Sequence, residues 1–513
     1  MAPATKKPAT DLRIPAEVRV GIIGRWTPEQ EKQVAAAFRE IRSELEELLD
    51  HSRATFTLVP GPNHDAERWW AARNSKVSIM QRLLHCLPAE SRRYFRSFRT
   101  VPARTRFFKI VLAANQNLPG TAAAERGPAE QSIRNCDVLI AIWTPPSGLT
   151  PAGVAPLIRF ALEDAGRTLY WIDPASGRMK RYDNYDRFID SFVHLNRYNG
   201  ERASPARIAV EVNAEIEKLE RLASKAGLEA AALDPLRERV IPHFVRAGRL
   251  ASGWQRRYIA AGFAIYLLAA VAVGTGTGAI LGHPRMAFIE VAEMALILII
   301  ISSSELLELL RRWLDYRFLT ERLRAAIHLY VAGMSSKIGD EESTQWMNRA
   351  LGWICDREPS QFPAGNLEAV KYFTRKGWVE DQRNYYFNRG GQLESWQKWS
   401  LRLGSFLFLT AAATALVHAL EVSGAPEAWA GAAIIIPAFA ASVAGFRAFR
   451  EYRRTALQYS AMVRKLNDIA KRIKEAATSG ELKELLAQAD GAISQEHSGW
   501  RVLVHVHEPI EEI

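Results

Sequence analysis

Two loops in the first third of the chain carry residue types that recognise anions. In VGIIGRWTPEQ, Gly24 ends an apolar run, Thr27 is placed to cap a helix, Pro28 suits its first position and Gln30 completes a capping box. Arg25, with Trp26 beside it, would then stand next to unpaired backbone N–H groups, where a phosphate is held. The second loop, TPPSGLTPAG, offers the hydroxyls of Thr144, Ser147 and Thr150, while Gly148 and Gly153 let the backbone approach a ligand closely. Asp173 ends the next apolar run. Neither loop is a Walker A or GxGxxG sequence, and the chain has no HExxH, no GxSxG and no paired carboxylates in the two loops. The chemistry on offer is binding, and no residue is assigned as catalytic. The three cysteines, Cys86, Cys136 and Cys355, are too scattered for a disulfide framework or a zinc site.

Those loops need strands and helices to hold them. Residues 18–23, 55–59, 107–113, 138–143 and 168–172 read as short apolar strands, and residues 28–49 and 153–165 as helices between them. Alternating β and α elements with near-continuous apolar strands predict a parallel sheet covered on both faces, a Rossmann-like α/β domain over 16–200. In such a sheet, ligands bind beyond the carboxyl ends of the strands, where both loops fall. A polar, Pro-rich lead-in (1–15) with no apolar signal core precedes the domain, and a helical linker (201–235) follows it. Between the second and third strands lies a run of Arg92, Arg93, Arg96, Arg99, Arg104, Arg106 and Lys109 with no acidic residue among them. It has two readings, a polyphosphate contact or a solvated basic face lying on a membrane.

The stretch from Val18 to Asp173 resembles the SLOG superfamily, through Gly21, Gly24, Arg25, Asp137, Trp143, Gly148 and Asp173. The resemblance implies a Rossmann-like fold that in some members senses nucleotides or their derivatives. A hydrolytic branch of that superfamily carries a PGGxGTxxE loop with a catalytic glutamate. The corresponding stretch here is PPSGLTPAGVAPL, which lacks it, so the resemblance implies binding.

The second half is different in kind. Residues 258–281 are long enough and apolar enough to cross a hydrocarbon core of roughly 30 Å, and residues 287–307, 403–420 and 431–446 read as three further crossings. Arg256 and Arg257 precede the first, Arg311 and Arg312 follow the second, Lys398 and Arg402 precede the third, and Arg447, Arg450, Arg453 and Arg454 follow the fourth. The positive-inside rule then puts both termini and the middle segment in the cytoplasm, in a multi-pass protein of the cell inner membrane. Basic flanks facing anionic lipid explain the formal net charge of +11 without invoking nucleic acid. The expected fold is thus an α/β Rossmann-like domain followed by an all-α membrane domain with four transmembrane helices and long cytoplasmic helices.

The two apolar hairpins read as copies of one unit, with Trp313 set on Phe449 and Tyr316-Arg317 on Tyr452-Arg453, each followed by an amphipathic helix continuing from the membrane. WVEDQRNYYFNRGGQLESWQKW, EYRR and ISQEHSGW are similar to the SLATT family of two-span effector domains found with SLOG and nucleotidyltransferase domains in bacterial conflict systems. Trp378, Asp381, Gln382, Tyr385, Tyr386, Glu394, Tyr452, Arg453, Glu496 and Trp500 carry that similarity. Residues 236–345 resemble a diverged first copy of residues 346–513. The resemblance implies an effector that forms a pore or perturbs the membrane.

Glu290 and Glu293 share one helix face with Ile297, Ile301 and Ser304. In a homo-oligomer this face gives acidic rings around an apolar constriction; alternatively the two carboxylates reach water at headgroup level. The aromatic block before the third span is expected to pack, and His418 to serve as a packing or interfacial group. The functional expectation is an anti-phage type effector that binds a nucleotide-derived small molecule, with the bilayer as partner and no cofactor. Its rivals are a membrane-anchored nucleotide-processing hydrolase and a constitutive scaffold.

Overall fold

The computed structural model describes residues 12–24, 26–59, 130, 133–142, 155–182, 188–335, 344–356, 366–421 and 424–505. The chain forms two compact units. One comprises Arg13–Glu201 and Ser343–Trp353, the other Met1–Leu12, Arg202–Glu342 and Ile354–Ile513.

Among the described residues the first unit is built on a five-stranded sheet in the order β2-β1-β3-β4-β5, with β1 Ala16–Gly24, β2 Ala54–Leu58, β3 Val138–Ile142, β4 Thr168–Ile172 and β5 Met179–Tyr182. Strands β1 to β4 pair in parallel, with Val20 opposite Val138 and Val138 opposite Thr168. Every residue of β3 is buried, as a central parallel strand requires. Helix α1 (Glu31–Leu48) turns Val34, Ala37, Phe38, Ile41 and Leu45 inward, one apolar stripe at helical spacing. Helix α2 (Ala155–Arg159) runs into a π-helical turn, Phe160–Asp164, whose Phe160 and Ala161 join the core.

The sheet differs from the expected all-parallel one at its edge, where β5 is antiparallel to β4. A tight turn accounts for this. Asp173 accepts from the Ala175 N–H (3.1 Å) and the Ser176 hydroxyl (2.5 Å), its carbonyl accepts from the Gly177 N–H (2.8 Å), and Gly177 takes a φ of 71° that favours glycine. The sequence MKRY exposes Lys180 and Tyr182, alternating charge and partial burial like an edge strand that discourages further pairing. The expected strand at 107–113 and the basic run from Arg92 to Lys109 lie outside the described residues. Helix α3 (His194–Gly200) closes the sheet through Asn199, which exchanges hydrogen bonds of 2.8 Å with both backbone groups of Ile14.

The second unit is helical. After α4 (Pro205–Ala226) and the short α5 (Asp234–Arg237) come two repeats of one pattern. In the first, α6 (Val240–Ile280) turns back as α7 (Met286–Leu306), and α8 (Leu309–Val331) follows. After α9 (Gln345–Ile354), which packs with the sheet unit, and α10 (Leu367–Thr374), the second repeat sets out α11 (Glu380–Ala419), α12 (Pro426–Arg450) and α13 (Tyr452–Glu475); α14 (Ser479–His505) ends the chain. Among the described residues four helices are long and apolar enough to cross a membrane. At 41 residues α6 is roughly 60 Å long, about twice a hydrocarbon core. It buries Ile241, His243, Arg246, Leu250 and Trp254 in its first half and exposes Phe263, Leu267 and Ile280 beyond. Helix α7 has no buried residue at all, and Phe288, Val291 and Leu298 are each at least 65% exposed. An apolar face of that extent needs lipid as its solvent.

The third helix of each repeat follows directly on the return helix, as expected, through a joint of one or two residues. Glu308 (φ 48°) and Glu451 (φ 45°) adopt the left-handed conformation and break the chain between α7 and α8 and between α12 and α13. Non-glycine residues seldom take this conformation, and two at equivalent points mark a shared joint. Setting Glu308 on Glu451 places Tyr316 on Tyr459, seven residues from the register expected from Trp313 and Phe449. Seven residues is close to two helical turns, so both registers present the same face, and the aromatic pattern alone does not separate them.

Candidate functional site

At the carboxyl edge of the sheet, β1 and β3 are neighbours that lead in opposite directions, the switch point where α/β sheets take ligands. Gly24 has a φ of 108°, and a Cβ there would overlap the carbonyl of Ile142, so only glycine lets β1 finish against β3. The Thr27 N–H donates to Gln30 Oε1 (3.0 Å) and the Gln30 N–H to the Thr27 carbonyl (3.0 Å). Half of the expected capping box forms, around a 3-10 turn (Pro28–Gln30) that comes before α1. Trp26 is half-buried and Thr27 exposed. Arg25, Thr144, Ser147, Gly148, Thr150 and Gly153 lie outside the described residues. Asp173 stands at the end of β4, where its carboxylate builds the β4–β5 turn.

Asp137, by contrast, sits at the amino end of β3, away from the carboxyl edge of the sheet. Its side chain is 3% exposed, and it accepts from the Arg19 guanidinium (3.0 and 3.1 Å), the Arg19 N–H (2.9 Å) and Arg349 of α9. Burial alone would push its carboxyl up; the charge of Arg349 and the bonds and charge of Arg19 outweigh that and hold it below the usual range. This is a clamp that ties α9 to the sheet, with Trp346, Met347 and Ala350 buried beside it. Sequence reasoning missed Arg349, 212 residues away; the buried, unsplit apolar face of QWMNRALGWI was the available signal. Burial pushes the neighbouring Cys136 thiol up to about 12, so it is inert at neutral pH.

In the first hairpin, Glu293 Oε2 accepts from the Thr275 hydroxyl (2.7 Å), and Glu290 lies against Gly276, where a Cβ would meet its Oε1 at 2.7 Å. Both carboxylates thus rest on the Gly/Thr stretch of α6. Ile297 and Ser304 share the half-buried side of α7, whereas Ile301 is 38% exposed. Among the described residues no cluster of three His, Cys, Asp or Glu side chains is arranged to hold a metal.

The densest polar chemistry of the helical unit lies where α8, α11, α13 and α14 meet. Tyr385, Tyr386 and Tyr459 form an edge-packed trio with centroids 5.0 to 6.4 Å apart. Tyr386 donates to Glu496 (3.3 Å), Gln382 to Glu321 (3.2 Å), and Arg324 to Glu321 (2.8 Å). Arg317 donates to Tyr459 Oη at 3.5 Å. Burial raises the hydroxyl of Tyr459 to about 12, with the charge of Arg317 opposing. One layer away, Arg322 bonds both oxygens of Asp490 (3.1 and 3.2 Å) and Ser494 (2.8 Å). Trp378 is buried and stacks on His328 at 6.0 Å. Gln382, Tyr385, Tyr386 and Glu496, named from the sequence only as carriers of the family resemblance, come together in space; Arg317, Glu321 and Tyr459 complete the group and were not foreseen there.

A family model described as SMODS and SLOG-associating 2TM effector domain 1 matches residues 375–500. Over that stretch, which opens on the π-helical turn Arg375–Val379 and holds α11, α12, α13 and most of α14, the chain is similar to that family. Neither the curated proteins nor the solved structures yield a match to the chain.

Proposed function

We propose that the protein is a ligand-gated membrane effector of the bacterial conflict type. The observation that carries this reading is that the two-span effector match falls on one complete repeat, and that the preceding repeat has the same element order and the same left-handed joint. The first repeat is read as a diverged copy of the second. The sheet unit is the sensor. Its switch point, with Gly24 at the centre, takes a nucleotide-derived ligand by its phosphates, Arg25 and Gly148 being the contacts expected from the sequence. Both termini and the sensor face the cytoplasm, and copies of the chain assemble so that the hairpins breach the inner membrane, with Glu290 and Glu293 near the outer mouth. A ligand can switch this system only if it binds the breached arrangement better than the resting one.

The test is dye leakage from liposomes holding the full chain, with ADP-ribose-type and cyclic nucleotides added in turn. Ligand-dependent leakage that is lost in Gly24→Val supports the reading. Leakage indifferent to every nucleotide removes the sensor, and intact liposomes under all conditions remove the breach.

A further inference from the structure

A cavity of about 230 Å³, partly open to its surroundings, lies among α6, α8, α11, α12 and α13, at the basic-flanked ends of the first and fourth apolar stretches. Tyr258 lines it from the start of the first stretch, Arg317 from α8 after the second, Arg389 from α11 before the third, and Arg450 and Glu451 from the joint after the fourth. Its charge is one-sided. Glu451 is the sole carboxylate among the lining residues, and it is spoken for by Arg454 at 3.8 Å. Against it stand three guanidinium groups with no ion pair among the described residues. Arg317 has one long bond, to Tyr459 Oη (3.5 Å); Arg389 donates to Gln392 (2.8 Å); Arg450 lies over the Tyr452 ring at 5.5 Å. The remaining wall is aromatic, with Tyr258 packed between Trp313 (5.7 Å) and Phe449 (5.1 Å). A guanidinium partly out of water with unused donors calls for a multivalent anion, and phosphate meets the planar fork with two oxygens at once.

We propose that this cavity binds the phosphate of an ester whose other end is apolar or flat, the Arg groups taking the phosphate and the aromatic wall the substituent. Its position at the inner ends of the spans favours the headgroup of an anionic phospholipid from the cytoplasmic leaflet; a soluble mononucleotide is the other source of the same chemistry. An occupant would touch both repeats on either side of the Glu451 joint and so bias how they pack. The inference stands apart from pore formation and from the sensor, since it concerns different residues.

The experiment uses the full chain in nanodiscs of phosphatidylcholine containing a minor fraction of phosphatidylglycerol, with native mass spectrometry reading the ratio of the two lipids retained. Wild type is expected to retain phosphatidylglycerol preferentially. Arg389→Gln and Arg450→Gln, both at half-buried positions, each reduce that preference about tenfold, the worth of one charged hydrogen bond. Arg317→Lys, which keeps the charge and loses the fork, reduces it as well. Arg402→Gln, on the exposed flank outside the cavity, leaves it unchanged. Adding AMP separates the sources: failure to displace the lipid assigns the site to the headgroup, and displacement that the variants abolish assigns it to a soluble ester. Equal retention of the two lipids without AMP binding overturns the proposal, as does an equal loss in Arg402→Gln.

Discussion

The two helical repeats share a ground plan and put it to different uses. Each has a helix of 40 or 41 residues, a return helix, a left-handed glutamate and a third helix of 23 or 24 residues. The third helices diverge. In the second repeat, α13 buries one stripe (Tyr452, Ala456, Tyr459, Leu466, Ile469, Ile473) and gives the rest to water. In the first, α8 is enclosed nearly all round, and even Asp315, Arg322 and His328 are buried. One helix is the axle of the helical bundle and the other its outer stave. A helix enclosed on all sides has no need of the amphipathic pattern that the one-sided α13 keeps, and the family match begins at residue 375, after the first repeat.

The contrast is tested hardest at Arg322, whose side chain is 5% exposed and bonded to Asp490, itself 11% exposed. Arg322→Ala takes both Arg322 bonds away from a buried carboxylate and is expected to cost about 3 to 5 kcal/mol, read as a lowered unfolding transition in detergent. Next comes His328. Burial drives its pKa down to about 4 from the ordinary 6.5, and the charges of Arg324 and Lys218 add to the fall, while its bond to the Arg324 carbonyl opposes it. The unfolded chain takes up this proton near pH 6.5 and the folded chain only near pH 4, so the stability His328 contributes is complete above 6.5 and drains away as pH falls toward 4. Over that window wild type should lose about 3 kcal/mol more than His328→Phe, which cannot titrate. A matching pH response in both proteins would mean that α8 is wetter than its burial indicates.

What the sequence discloses follows the same division between one-sided and enclosed elements. The stripe on α1, the four parallel strands and the four apolar helices were legible because each has one environment per face, or one environment throughout. Strand β5 was not, since MKRY has no apolar signal and owes its pairing to the turn that Asp173 and Gly177 make. The roles of Asp137 and Arg317 were hidden for another reason. A charged residue reads as solvent-facing until its partner is known, and those partners come from α9 and α13, far along the chain. Of the expected ligand residues, Gly24 shows why it must be glycine and Asp173 shows a use in the local turn, while the family-like cluster of Gln382, Tyr385, Tyr386 and Glu496 is assembled by contacts that no spacing announces.

Two smaller effects complete the comparison. Tyr386→Phe removes only the 3.3 Å bond to Glu496 and keeps the ring in its trio, so about 1 kcal/mol is expected. At the bottom of the scale stand Lys465 and Lys471, which the register anchored on Glu308 and Glu451 makes the counterparts of Arg322 and His328. Both are exposed on α13 and neither touches a carboxylate among the described residues. Lys465→Ala and Lys471→Ala should each shift stability by no more than about 0.5 kcal/mol, the range of surface changes away from special contacts. Because helix propensity favours alanine slightly over lysine, the sign should lean toward stabilisation. A loss above about 1 kcal/mol at either position, which exceeds what a surface lysine contributes, would mean that α13 is covered in the assembled protein. The axle and stave would then be equally enclosed, and the asymmetry would belong to the single chain alone.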